Sequence, residues 1–298
     1  MAVFLIINTV TSQIGRHFRT LLRTRCKCES LRRCHTQDSL ITVREENGVR
    51  NIVMTSPKTR NSLSIPMMDA LMGAMKNLTD PALRCIVISS NGPVFSSGHN
   101  LKDLAKGEEK SYLETFSKCG DLMMQIIEAP VPVIATVNGV AAAAGCQLVA
   151  TCDIVIATER SSFSTPGANF GIFCSTPGIA LVRTVNKKAA ARMLLTGEPI
   201  PCPEALRVGL VSVMCKEDEL AAELEKHIQA IKSKSRSVVA LGKKFFYEQM
   251  EKDVRSAYSL GTRVMTYNLL LADGQEGIKS FAEKRSPVWR NDFTKGAT

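Results

Sequence analysis

Three Asn-Gly pairs, at 47–48, 91–92 and 138–139, stand at nearly equal intervals between apolar runs in this 298-residue chain. Asn-Gly is the strongest short-range turn signal, because both residues tolerate positive φ. Around the first pair, "SLITVREENGVRNIVMT" reads as two β-runs, so a hairpin is expected to open the folded body. The following "SIPMMDALMGAMKNL" offers Ser64 as a helix N-cap and Ile65, Met68, Leu71, Met72, Met75 and Leu78 at helical spacing. The second pair repeats the pattern with "RCIVISS", a turn, "VFSS", a charged loop and the helix "SYLETFSKCGDLMMQIIE", ended by Pro130. The third gives "VPVIATV", a turn, a helix from about 143 to 152 and the run "DIVIAT". Units of strand, strand and helix bury their faces only against neighbours, so the expected fold is an α/β spiral of stacked units.

Past residue 178 the strand signals thin out, apart from "GLVSVM". Helices are expected at 187–195, 217–232, 236–250, 254–271 and 275–284, packed on the same domain or on a partner subunit. The chain is divided as a leader at 1–37, a spiral core at 38–185 and a helical region at 186–298.

The formal charge of +10 gathers at the start. Residues 1–37 hold Arg16, Arg19, Arg23, Arg25, Lys27, Arg32 and Arg33 against Glu29 alone, which leaves only +4 for the rest. A mildly basic body suits a small anionic ligand and gives no nucleic-acid signal. The Arg-rich, hydroxyl-bearing, nearly acid-free leader reads as a cleaved mitochondrial presequence, with the matrix as destination and a cytosolic chain bearing a basic arm as the alternative. No positive charge precedes "AVFLII", which argues against a secretory signal. No run reaches the ~18 apolar residues of a membrane span. Cys26, Cys28 and Cys34 fall in the leader, and the other seven cysteines are scattered singly without a Cys-x-x-Cys pair. They read as reduced, buried small hydrophobes, and no metal site is expected.

Two segments share a design that carries chemistry. "GPVFSSGHNLKDL" runs from a strand through Gly98 into a helical turn, and "NGVAAAAGCQL" runs from a strand and turn into a helix. Both leave free backbone N–H groups at a helix start, beside residues small enough for a ligand to approach. Two such donors aimed at one point make an oxyanion hole.

In combination and order these segments resemble the crotonase (enoyl-CoA hydratase/isomerase) family. The resemblance covers about residues 40–290, through "SPKTRNSLS", "VFSSGHNLKDL", "PVPVIATVNGVAAAAGCQLVATCDIVIAT", "FSTPGANFGIFCSTPG", "LLTGEPIPCPEALRVGLVSVM" and "GIKSFAEKRSPVW". It implies a ClpP/crotonase-like spiral of strand-strand-helix units, a helical C-terminal region that makes a homotrimer or a dimer of trimers, and acyl-CoA thioesters as substrate or ligand, with no cofactor. It implies the backbone N–H groups of His99 and Ala144 as the oxyanion donors. By the same resemblance, Lys58 and Arg60 lie near the CoA phosphates, loop carbonyls around Ser96, Ser97 and Gly98 meet the adenine, and Phe281 and Lys284 reach CoA from the C-terminal region.

The departures from the family pattern set the functional expectation. The two glutamates that hydratases of this family use fall on Gln147 and Gly167, and a third position, aspartate in some relatives, falls on Ser175. Glutamine neither gains nor loses a proton in the working pH range, so Gln147 is left as an orienting amide or as a purely structural one. Glu114 and Asp153 are read as surface and turn residues, and His227 as a surface residue of a charged helix. The expected protein is therefore an acyl-CoA-binding member of lipid metabolism in which efficient water addition is not expected. The alternatives are a decarboxylase or weak hydratase/isomerase working through the oxyanion hole, and a non-catalytic regulator that holds acyl-CoA.

Overall fold

The computed structural model of the protein describes residues 39–296, apart from residue 106. The leader reading for residues 1–37 lies outside the described residues. Strands β1 (Ile41–Glu46) and β2 (Val49–Met54) pair antiparallel with Glu46 opposite Val49. Asn47 (φ 52°) and Gly48 (φ 76°) are both left-handed, as the mirror-image hairpin turn requires. Helix α1 (Ile65–Ala74) starts on Ser64, whose Oγ accepts the Met67 N–H at 3.4 Å. It stops short of Leu78, and the Arg50 guanidinium takes the carbonyls of Ala74 and Lys76 at its end, at 3.0 and 2.6 Å.

The next coils comprise β3 (Cys85–Ser90), β4 (Val94–Ser96), α2 (Leu101–Leu104) and α3 (Glu109–Glu128), then β5 (Val133–Val137), β6 (Val140–Ala142) and α4 (Ala144–Thr151). They are followed by β7 (Ile154–Thr158), β8 (Ser162–Ser164), α5 (Ser175–Thr184), α6 (Lys187–Thr196), β9 (Ile200–Pro201), α7 (Cys202–Val208) and β10 (Val213–Cys215). Four helices complete the chain: α8 (Leu220–Lys232), α9 (Arg236–Met250), α10 (Val254–Leu270) and α11 (Ala272–Ala282).

One sheet has the order β1-β2-β3-β5-β7-β10, parallel except for the opening hairpin, and the other has the order β4-β6-β8-β9. Successive coils thus place one strand in each sheet, which is the expected spiral. The second and third Asn-Gly pairs do not close hairpins, however: they carry the chain from the large sheet to the small one. Only Gly92 (φ 89°) and Gly139 (φ 131°) take positive φ there, so the mirror-image turn does not form. A Cβ on Gly139 would stand 2.1 Å from the Pro93 carbonyl oxygen, so glycine is what lets adjacent coils touch. The β7-to-β8 crossing repeats the move without any Asn-Gly pair.

Beyond the part-exposed edge strand β1, the large sheet is buried on both faces, with its residues alternating between them. Ile52, Ile86, Ile88, Val133, Ala135 and Val155 point into the main core, whereas Val49, Val87, Ile134 and Ile156 face Leu224, Ile228 and Ile231 of α8. Cys85, Cys119, Cys146, Cys152, Cys174, Cys202 and Cys215 are buried and unpaired, as their spacing suggested.

Asp153 proves to be a structural junction. Its carboxylate accepts the Val133 N–H at 2.7 Å, Lys243 Nζ at 2.6 Å and the Tyr247 hydroxyl at 2.8 Å, fastening α9 to the spiral. Lys243 also donates to the Ile126 and Val131 carbonyls, so the buried ion pair is fully bonded. Helix α10, by contrast, buries no residue and exposes Val254, Tyr258 and Met265. Among the described residues no helix is long and apolar enough to cross a membrane, and no cluster of side chains could hold a metal ion.

Candidate functional site

Strands β4 and β6 are parallel neighbours in the small sheet, so their C-terminal ends deliver residues 97–99 and 143–145 side by side. The contact is close. A Cβ on Gly98 would lie 2.8 Å from Ala143 Cβ, 2.9 Å from the Ala142 oxygen and 3.0 Å from Ala144 N, and one on Gly145 would lie 2.4 Å from the Ser96 oxygen. Gly98 also needs φ +85°, so it answers both a steric and a conformational demand.

In a trans peptide the N–H and C=O point in opposite directions, so fixing one aims the other. The Gly98 carbonyl accepts the Leu63 N–H at 2.8 Å, which turns the His99 N–H away from Leu63. The Ala143 carbonyl accepts the Gln147 N–H at 3.0 Å as the first bond of α4, which turns the Ala144 N–H out of the helix start. Neither N–H meets an acceptor among the described residues. The second donor also lies at the positive end of the α4 dipole. Ala143 holds φ 49° and ψ −119°, with its N–H bonded to the Ser164 carbonyl at 2.9 Å. That conformation favours glycine, and for alanine it stores strain of about 1–3 kcal/mol.

His99 and Ala144 both line a cavity of about 360 Å³ whose wall is largely apolar, built from Leu101, Leu104, Phe116, Phe170, Ile172 and Phe173. Among the described residues no Asp, Glu, Lys or Arg lines it. Gln147 is absent from the wall as well. It lies one turn inside α4, buried, with its Oε1 facing the Cys119 thiol of α3 at 3.8 Å. Helix α4 is buried on every side, and the Gln147 amide oxygen is turned toward α3.

Gly167 does line the cavity, and it has no room for a side chain. A Cβ there would meet the Ile172 oxygen at 2.2 Å and Cys174 Sγ at 2.7 Å. Ser175 lines the wall at the start of α5, and its hydroxyl lies 3.4 Å from the Phe173 carbonyl. Burial pushes the Cys119 and Cys146 thiols up to about 12 and raises Cys174, so none offers a thiolate near neutral pH. Glu114 is exposed, and His227 is tied to the Glu223 carbonyl at 2.8 Å within α8.

Of the residues expected to meet CoA, Lys58 and Arg60 are exposed on the short turn Pro57–Thr59 and its cap. That turn touches the site directly, since the Arg60 carbonyl accepts the Ser97 N–H at 3.0 Å. Buried Asn61 holds the turn in place, accepting from the Ser56 N–H and donating to the Asn91 and Val94 carbonyls. Ser97 lines the cavity, whereas Ser96 is buried with its carbonyl against Gly145, and the Gly98 carbonyl is bonded to Leu63. The carbonyl turned to neither partner is that of Ser97. Phe281, at the end of α11, is 87% exposed; neither it nor Lys284 lines the cavity.

The His99 imidazole was missed as a wall residue by the sequence pattern, which assigned only its backbone. Nδ1 lies 3.3 Å from the Leu63 carbonyl, and the ring meets Phe116 edge-on with centroids 5.3 Å apart. A carbonyl only accepts, so Nδ1 carries the hydrogen. Nε2 is buried without a partner among the described residues. Burial holds the imidazole below the ordinary histidine value, with the Leu63 bond opposing in part, so the ring is neutral near pH 7.

A family model described as enoyl-CoA hydratase/isomerase matches residues 44–292. Among curated proteins, the chain is 50% identical over 256 residues to mouse (Mus musculus) enoyl-CoA hydratase domain-containing protein 3, mitochondrial, covering 85% of each chain. It is 32% identical over 250 residues to the mitochondrial enoyl-CoA hydratase of Pongo abelii, covering 83% of this chain and 85% of that one. Among solved structures, human enoyl-CoA hydratase domain-containing protein 3 superposes with a TM-score of 0.82 at 50% identity, covering 84% of this chain and 100% of that one. A Mycobacterium smegmatis enoyl-CoA hydratase gives 0.82 at 40% identity, covering 85% and 99%.

Proposed function

The chain belongs to the enoyl-CoA hydratase/isomerase family, and on that premise we propose that it binds acyl-CoA thioesters of lipid metabolism by their carbonyl, without the carboxylates that add water. One observation carries the reading: two peptide N–H groups, each with its own carbonyl tied on the opposite side, face an apolar cavity with no acid among the described residues of its wall. The thioester oxygen sits between the His99 and Ala144 donors, which bind it more strongly as it gains enolate charge. The acyl chain lies among Leu104, Phe116 and Phe173, and the CoA phosphates meet Lys58 and Arg60. Phe281 and Lys284 complete the CoA site. No cofactor takes part.

A positioned acid or base is worth about 10²- to 10⁴-fold in rate, so hydration is expected to be slow by that order. Decarboxylation is the second reading, favoured by the same wall. A malonyl-type carboxylate among those side chains meets no cation among the described residues of the wall and is destabilised. The C–C bond then breaks, carbon dioxide leaves, the electron pair enters the enolate held by the two N–H groups, and a solvent proton completes the product.

The relatives' names support a mitochondrial location, and the Arg-rich leader supports the matrix as destination. The uncovered apolar face of α10 supports a homotrimer or a dimer of trimers.

Calorimetry of the full chain with octanoyl-CoA and with free CoA tests the reading, followed by assays on crotonyl-CoA and ethylmalonyl-CoA. Octanoyl-CoA should bind more tightly than CoA alone. Equal affinity for the two, or hydration at the rate of a relative that has both glutamates, would overturn it.

A further inference from the structure

We propose that the His99 imidazole is the positioning residue of the carbonyl-binding pair, acting on its own backbone N–H through a two-bond clamp to Leu63. The proposal rests on the acyl-thioester reading above. The clamp joins two segments far apart in sequence. Leu63, just before the Ser64 cap of α1, donates its N–H to the Gly98 carbonyl at 2.8 Å and accepts from His99 Nδ1 at 3.3 Å. The first bond fixes the plane of the 98–99 peptide, and the second fixes the residue that follows it. Together they stop that peptide from rotating about the flexible bonds of Gly98. The far side of the ring is braced edge-on by Phe116 of α3.

A ring placed here only to fill space would be apolar. This one instead keeps Nε2 buried without a partner, an unfavourable arrangement that the Nδ1–H bond to Leu63 accounts for. With Nε2 meeting no acceptor among the described residues, the neutral Nδ1–H form is the one the site holds, so the donor to Leu63 stays in place. The other amide, on Ala144, needs no such brace because the α4 ladder already aims it.

The test uses the full chain and octanoyl-CoA labelled with ¹³C at the carbonyl. The readout is the infrared carbonyl frequency of the bound thioester, which falls as the carbonyl is polarised. In the native protein the band should shift down on binding. His99→Phe keeps the backbone N–H and the ring volume but loses the Leu63 bond, so the shift should shrink and affinity should fall by up to about tenfold. His99→Asn, whose amide can donate to Leu63, should restore most of the shift. A role in stability alone would lower the melting temperature of His99→Phe and leave the band unmoved.

A full shift in His99→Phe, or no recovery in His99→Asn, overturns the proposal while leaving the thioester reading intact. Octanoyl-CoA binding with no shift in the native protein overturns the carbonyl contact and the clamp together. Nitrogen NMR of the native protein gives a check that no variant is needed for: Nδ1 must carry the hydrogen, and a hydrogen on Nε2 alone refutes the clamp.

Discussion

At residues 96–99 the chain turns on glycine, and at 142–145 it turns on alanine, although both loops end in a peptide N–H aimed at the same cavity. The first loop has no freedom in the choice of residue: Gly98 needs φ +85°, and three atoms stand within 3.0 Å of any Cβ. The second accepts strain instead. Ala143 is held at φ 49° by its bond to Ser164 and by the α4 ladder behind it. The first donor, at His99, lies ahead of the Asn100 cap of α2 and is braced from outside; the second, at Ala144, is the first residue of α4 and is aimed by that helix.

Substitutions can break that contrast. Gly98→Ala combines the strain of a left-handed alanine with a collision against Ala143 and Ala144, and should destabilise the protein by about 3 kcal/mol. Thioester affinity should fall below detection, as thermal unfolding and calorimetry together would show. Gly145→Ala separates space from conformation, since Gly145 lies within α4 and its added Cβ meets only the Ser96 oxygen and neighbouring atoms. A loss of about 2 kcal/mol is expected, with weakened binding as the two loops are pushed apart. If binding survives at full strength, the close approach of the loops is not what sets the donor pair.

Ala143→Gly runs the other way. Relief of the positive φ outweighs the added chain entropy, and stability should rise by about 1 kcal/mol with affinity within twofold of native. The smallest effect is expected at the position where the family's chemistry would place the largest. Gln147→Leu keeps the volume and loses only the weak contact with the Cys119 thiol, so thioester affinity should stay within about twofold. A tenfold loss would mean that the amide reaches the ligand after all.

Local signals made much of the fold legible. The opening hairpin, the Ser64 cap and the limits of α6, α9 and α10 follow from caps, periodicity and turn chemistry, which act within a few residues. The second and third Asn-Gly pairs show the limit of such signals: each marks a turn, but which sheet the next strand joins depends on the coil beneath it. Strand β8 has three residues, and α5 begins Ser-Thr-Pro-Gly, which reads as a loop. Gly178 in that helix lets Leu194 of α6 approach, a partner that no local pattern identifies.

At the candidate site the two backbone donors were legible because strand, small residue and helix succeed each other twice. The direction of Gln147 was not, since a helix buried on every side has no polar face to orient it. Nor was the His99 ring, whose partner Leu63 lies 36 residues earlier.

The crowding around Gly167 bears on how readily this chain could accommodate a carboxylate there. A glutamate there would have to evict the Ile172 oxygen and the Cys174 sulfur, and with them the 3.0 Å bond from the Ile172 N–H that closes the turn. A carboxylate at this position is therefore not one substitution away. It requires a different path for the main chain across residues 166–174, so a segment transplanted whole from a relative that carries the glutamate is a sounder starting point than a point change.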